Sequence, residues 1–526
     1  MHSNQQAQTF EKRLAWLSRS EASALLGDIA MGMEKEGLRV DGNMDLAQTP
    51  HPRGLGSALT HPDITTDYAE ALLEMVTAVF HTPTAALERL QNLHSLLYRH
   101  LDDELLWNAS MPARLGIDAD IPVAEYGRSS IGRLKTLYRI GLGHRYGRAM
   151  QCIAGLHFNF SLPETFWVAL AAQEHRKGTP RTLRDEGYFN LLRNFRRFSW
   201  LLIYLFGASP VLDRSFLRHD KHGLETLALN SLGLPWATSL RMSRLGYQNN
   251  AQEQLDICFN SLEGYLDTLD AAVSTPWPDY EKLGLVKEGQ RIQLNTNLLQ
   301  IENEYYSPVR PKRVAHNGEH PNQALRARGV EYIEVRCLDI NPFAPAGIDA
   351  STCHFLPVFL TALAILPCPP MTDHQCQTAK KRLTLVVEQG RKPGLLLPTS
   401  RGPVPVQVLG QQILDLCEPL AVCFDQTWNS GNLCQAAVRQ ARSMLDDPAQ
   451  LPSARLLQQL GTNDSWLQLG HDLSAQARQT LLGRPLPAAV IQAFEANTRE
   501  SEARQQQLEA ESGTDFDAFL DVWLRR

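Results

Sequence analysis

Four stretches of the chain carry acids, a histidine and an arginine at spacings that suit chemistry on a charged group. In MEKEGLRV, Glu34 and Glu36 stand two apart; in GLHFNFSLP, His157, Asn159 and Ser161 alternate with Leu156, Phe158, Phe160 and Leu162. In LLQIENEYY, Gln300, Glu302 and Glu304 alternate with Leu299, Ile301, Asn303 and Tyr305; in GVEYIEVRCLDINP, Tyr332, Glu334 and Arg336 alternate with Ile333, Val335 and Cys337. Residues two apart share a face of a β-strand, so each stretch predicts a strand with a polar front. On one sheet, four such strands would make an acidic concave surface. Two carboxylates ~4 Å apart repel by ~4 kcal/mol at an effective dielectric of ~20, a penalty that a divalent cation removes. Oxygen donors beside an imidazole suit magnesium or manganese. Two plainer readings stay open at this point: Glu334 and Arg336 as an ion pair on a solvent-facing strand, and His157 as a satisfied core histidine.

The acids need a cationic counterpart, and the sequence has one. Between Arg128 and Arg148 lie Arg128, Arg133, Lys135, Arg139, Arg145 and Arg148 with no acid among them. Guanidinium binds phosphate oxygens bidentately, so phosphate is the natural ligand of such a zone. A solvated basic face is the other reading, and the one favoured for Arg145 and Arg148. Cations flanked by Arg139 and Arg336 would seat a triphosphate. No GxGxxG or GxxxxGK[ST] loop is present, so any ATP would be held by another kind of site.

The elements that must position these residues follow from local pattern. Apolar spacing predicts a leading helix from Phe10 to Leu26, and Asp41-Gly42-Asn43 is a turn signal. The stretch from His61 to Phe80 supports two readings: a helix with Asp67, Glu70 and Glu74 on one side and Asp67 as its N-cap, or a strand in which Glu74, Val76 and Ala78 alternate with Met75, Thr77 and Val79. Leu87 to Leu105 predicts an amphipathic helix, and Phe355 to Leu366 a buried one. Arg241 and Tyr247 sit at the end of a loop-rich region, where surface packing is the alternative to a binding role. After the Pro/Gly-rich GRKPGLLLPTSRGPVPV, the chain reads as helical from Gly410 to Arg526.

Bulk properties narrow the class. The 526 residues are 43% hydrophobic and 21% charged, ample for a large core. A net charge of -6 argues against general nucleic-acid or anionic-membrane binding. Nine cysteines form no CxxC pair, which disfavours thiolate zinc and fits a reducing compartment. With no signal-like h-region and no apolar run long enough to span a bilayer, a cytoplasmic location is expected.

Taken together, MEKEGLRV, ALTHPDITTDYAEALLE, GRLKTLYRIGLGHRYG, GLHFNFSLP, YLFGASP, WATSLRMSRLGY, QIENEYYSPVRPKR, EYIEVRCLDINPF and EQGRKPGL resemble, in this order from about Met31 to Gly394, the bacterial glutamate–cysteine ligase family of the long, glutathione-pathway type. The resemblance implies an α+β fold with a glutamine-synthetase-like, curved, mostly antiparallel sheet and surrounding helices. It implies a catalytic core over 1–396 and a helical part over 397–526 packed on the same body. The implied reaction joins the γ-carboxylate of L-glutamate to the amine of L-cysteine, with ATP converted to ADP and phosphate, Mg2+ required (Mn2+ an alternative), and a monomer as the working unit. By matching motif, Glu34, Glu36, Asp67, Glu74, His157 and Glu334 resemble the metal site, and Arg139 and Arg336 the catalytic arginines. Tyr138, Leu142, Gln151, Arg241, Tyr247 and Tyr306 resemble the cysteine pocket. Tyr68 falls near that pocket where the family pattern has Phe, a departure that adds a hydroxyl to its lining.

Overall fold

The computed structural model describes residues 4–220, 222–246, 252, 255–316, 318–513 and 515–525. Its centre is one antiparallel sheet of β1 (Ala30–Val40), β2 (Ile64–Thr66), β3 (Leu72–Val76), β4 (Leu105–Trp107), β5 (Leu156–Ser161), β6 (Val309–Lys312) and β7 (Tyr332–Leu338). The strand order is β6-β7-β5-β1-β3-β2, with β4 also pairing with β1. The 11 residues of β1 make this possible: one edge pairs with β5 over Ala30–Lys35 and then with β4 over Leu38–Val40, while the other edge pairs with β3 over Glu34–Leu38.

The period-two pattern decides which face is buried. Met31 and Met33 of β1, Phe158 and Phe160 of β5, and Ile333 and Val335 of β7 all enter the main apolar core. There they meet Leu90 and Leu93 of α1 (Pro83–Tyr98) and the largely buried α3 (Ala350–Ile365). Burying each such side chain contributes roughly 1.5–3 kcal/mol, so a one-residue register slip would cost many of these at once. The same core takes in Ile413, Leu414 and Phe424 of the helical C-terminal region. Lys35 also points to the core side, 1% exposed, its Nζ 3.0 Å from His94 Nε2 and 3.2 Å from Asn108 Oδ1.

On the polar side lies α2 (Ser130–Tyr146), which begins where Ser129 Oγ accepts from Gly132 N and ends at Gly147, whose φ of 81° favours glycine. Against its outer face sits the C-terminal helix α4 (Phe516–Leu524), with the Arg133 guanidinium 4.1 Å from the centre of the Phe516 ring and Leu520 fully buried.

Several sequence-based expectations are corrected. The LLQIENEYY stretch is not a strand: Glu302–Glu304 is a 3-10 turn. Glu304 Oε2 accepts from Gln300 N at 2.7 Å, a local side-chain bond that competes with a strand ladder. The leading helix is shorter than predicted, Asn4–Leu17, and the helix over Leu87 to Leu105 stops at Tyr98, because Leu105 starts β4. The ambiguous His61 to Phe80 stretch is two short strands, with Thr65 opposite Glu74. Among the described residues, no helix is long and apolar enough to cross a membrane.

Candidate active site

The pairing register assembles the acids. Glu34 lies opposite His157 across β1 and β5, Glu36 opposite Glu74 across β1 and β3, and Glu334 opposite Asn159 across β7 and β5. Directly opposite residues share a face, so residues far apart in sequence become neighbours. Glu34, Glu74 and His157 each offer a ligand atom, all within 4.8 Å of one another. His157 Nδ1 is 3.2 Å from Glu34 Oε2 and 3.8 Å from Glu334 Oε1, and its Nε2 is 3.7 Å from Glu36 Oε1. Asn159 Nδ2 donates to Glu34 Oε1 at 2.9 Å, fixing that carboxylate from the side.

The acids divide by what surrounds them. Burial, then the nearby Glu34, Asp67 and Glu36, push the Glu74 carboxyl well above its ordinary range. Burial and Asp67 push Glu36 up to about 8, although Gly155 N donates to its Oε2 at 2.6 Å. For Glu334, burial acts in the same direction but is outweighed by Lys312, Arg336 and His157, which hold it well below the usual range. Lys312 Nζ lies 3.4 Å from Glu334 Oε2 and Arg336 Nη1 donates to Oε1 at 3.1 Å, yet the buried Oε2 has no hydrogen bond. Burial and Arg336 lower the His157 pKa and so favour the neutral imidazole, the state that can offer a lone pair. Two carboxyls forced toward protonation, one buried carboxylate oxygen without a hydrogen-bond donor, and a neutral imidazole together fit a hard divalent cation.

Beside this cluster opens a cavity lined by Glu36, Asp67, Tyr138, Arg139, Leu142, Gln151, Arg241, Tyr306 and Arg336. Asp67 enters through the turn after β2, where its carbonyl accepts from Arg139 Nε. The Arg139 guanidinium also rests 4.6 Å from the centre of the Tyr126 ring. Arg241 is 1% exposed; its Nη2 donates to the Arg336 carbonyl at 2.8 Å, and its Nη1 lies 3.8 Å from Asp339 Oδ1. Asp339 is itself fixed by donors from Ala208 N, Ser209 Oγ and Ser239 Oγ. Gln151 Nε2 donates to Tyr306 Oη at 2.8 Å.

The residues anticipated from sequence thus fall into two adjoining groups. Glu34, Glu74, His157 and Glu334 gather on the sheet, and the others line the cavity, with Glu36 touching both. Tyr247 lies outside the described residues. Sequence reasoning passed over Lys312 as a partner of Glu334 and Glu304 and Asn303 as cavity residues. Lys312 was signalled by the alternation of Arg310 and Lys312 in SPVRPKR, where both fall on the front of β6. The reading of Arg145 as a solvated basic residue is also corrected: its side chain is fully buried in an ion pair with Glu304.

Residues 14–386 match the family described as glutamate-cysteine ligase. The chain is 48% identical over 521 residues to a glutamate–cysteine ligase of Azotobacter vinelandii, covering 98% of each sequence. It is 47% identical to one of Pseudomonas putida, covering 95% of each. Its fold superimposes with a TM-score of 0.88 on a glutamate–cysteine ligase of Francisella tularensis solved in complex with AMP, at 34% identity, covering 94% of this chain and 97% of the other. A bifunctional glutathione synthetase of Pasteurella multocida shares the fold at a TM-score of 0.71 and 22% identity. A match that spans the sheet, the acidic cluster and the cavity together leaves one assignment: the chain belongs to the glutamate–cysteine ligase family.

Proposed function

We propose that this chain joins the γ-carboxylate of L-glutamate to the amine of L-cysteine, converting ATP to ADP and phosphate, as the first step of glutathione biosynthesis. The observation that carries the reading is the meeting of Glu34, Glu74 and His157 beside a cavity into which Arg139, Arg241 and Arg336 open. The Francisella tularensis relative was solved with AMP, which supports a nucleotide as substrate here.

Glu34, Glu36, Asp67, Glu74, His157 and Glu334 would hold Mg2+, with Mn2+ the alternative. When bound, such a cation supplies charge neutralisation at the phosphate oxygens. Arg336, steadied by Glu334, and Arg139, steadied by the Asp67 carbonyl, present guanidinium groups to the phosphoryl group in transfer. A γ-carboxylate oxygen of glutamate attacks the γ-phosphorus and ADP leaves. The cysteine amine then attacks the acyl carbon, loses a proton, and phosphate departs with the former carboxylate oxygen. Arg241 is held in place by Asp339 and would pair with the cysteine carboxylate. Tyr138, Leu142, Gln151, Tyr306 and Tyr247 would enclose the short thiol-bearing side chain.

The test is ADP formation with glutamate, cysteine, ATP and magnesium, omitting each in turn. Full turnover is expected only with all four present. Undiminished ADP release without cysteine, or none with the complete mixture, would overturn the reading.

A further inference from the structure

The cavity wall that holds Gln151 and Tyr306 is built from two stretches far apart in sequence: α2 with the turn after it, and the 300–306 loop. Glu304 ties them together. Its side chain and that of Arg145 are both fully shielded from solvent, with Arg145 Nη1 3.0 Å from Glu304 Oε1. Tyr146 Oη donates to the same oxygen at 2.6 Å, and Gln300 N donates to the other at 2.7 Å. Arg145 extends the join, its Nη2 donating to Asn295 O at 2.7 Å and its Nη1 to Asn297 O at 3.0 Å. Gly141 leaves room for the loop against α2: a methyl group there would overlap the Gln300 side-chain oxygen.

Apolar side chains of the same size would fill this space without the cost of desolvating two charges. What the pair adds is direction: the Arg145 guanidinium divides its donors among Glu304 Oε1, Gln293 Oε1 and the Asn295 and Asn297 carbonyls, so the loop has one register on the helix. That register bears on the cavity, because Tyr146 packs edge-on to Tyr306 at 6.0 Å and Gln151 bonds Tyr306.

We propose that Arg145 and Glu304 are positioning residues, whose buried pair sets Tyr306 against Gln151 and so fixes the width of the chamber that receives the amine substrate. The proposal rests on reading that cavity as the cysteine chamber.

The test uses the full chain and three variants. Glu304→Gln keeps the shape and removes the charge. The double variant Arg145→Met with Glu304→Leu replaces the pair by apolar side chains, an exchange that often restores stability. Tyr146→Phe removes the hydroxyl that donates to Glu304 and accepts from Gln252 Nε2 at 3.3 Å, and preserves packing. In the single charge variant and in the double variant, KM for cysteine is expected to rise about tenfold while KM for ATP and glutamate moves less than about twofold, even where the double variant regains the parent's melting temperature. Tyr146→Phe is expected to raise KM for cysteine about threefold, which keeps the proposal decidable if the other variants do not fold. Three results would overturn it: recovery of the cysteine constant together with the melting temperature, an equal rise of all three constants in a folded variant, or an unchanged cysteine constant in Tyr146→Phe. Absence of cysteine ligation by the parent chain would overturn the functional reading, and this proposal with it, before any variant is compared.

Discussion

At Glu74, the stability of the fold and the proposed binding of a cation pull in opposite directions. The Glu74 carboxyl is pushed well above the ordinary range by burial and by Glu34, Asp67 and Glu36, so without a cation the folded chain holds this proton more tightly than the unfolded chain does. A raised carboxyl pKa contributes stability below the unfolded value of about 4.5 and loses it as pH rises. Glu74→Gln is therefore expected to be more stable than the parent at pH 7 in chelator, with the advantage shrinking as pH falls toward 4, as measured by urea unfolding. Magnesium should then stabilise the parent and not the variant, and ADP formation by the variant should fall at least about a hundredfold. Lys35 presents the opposite sign on the core side of β1. Burial lowers its ammonium to about 7, so the fold favours the neutral amine and gains stability as pH rises from about 7 toward the unfolded value of 10.5. Urea unfolding at pH 7 and 9.5 is expected to show the parent gaining about 3 kcal/mol relative to Lys35→Met. A difference that did not move with pH would contradict this account of Lys35.

At the scale of elements, β1 organises the site by pairing with three strands along its length, and the approach of β5 depends on one glycine. Gly155 N and O both bond Glu36, and a methyl group at Gly155 would overlap the Arg241 guanidinium. Gly155→Ala is expected to shift Arg241 and raise KM for cysteine about tenfold with a small change in melting temperature, whereas equal changes in all substrate constants would assign Gly155 to folding alone. The strands β5 and β7 were legible because their fronts are polar and their backs apolar, and β1 because Glu34 and Glu36 share a face, although Lys35 lies on its back. The strand at Glu74 was ambiguous because Leu72, Leu73 and Met75 are all fully buried, so both faces are covered and the alternation is masked. The turn at Glu302–Glu304 was misread because its period-two polarity is genuine, but Glu304 spends its carboxylate on its own backbone and on Arg145. That partner lies 159 residues away, beyond the reach of any local pattern.

Across the whole molecule, the α+β class and most of the acid cluster followed from the sequence, because strand alternation and a run of matching motifs agreed. What did not follow was the placing of Lys312 beside Glu334 and the buried ion pair of Arg145 with Glu304 behind the cavity wall. These depend on sheet order and on contacts between distant segments, which composition and spacing do not encode. The core that backs the sheet also draws on the C-terminal helices, so the site is held by most of the chain. Activation of a carboxylate by phosphorylation in this cleft can be read directly from where the oxygen goes. Glutamate labelled with 18O in its γ-carboxyl group should transfer one labelled oxygen to each phosphate released during complete turnover, read by mass spectrometry of the phosphate. Unlabelled phosphate, formed at the same rate as the γ-glutamyl product, would contradict it.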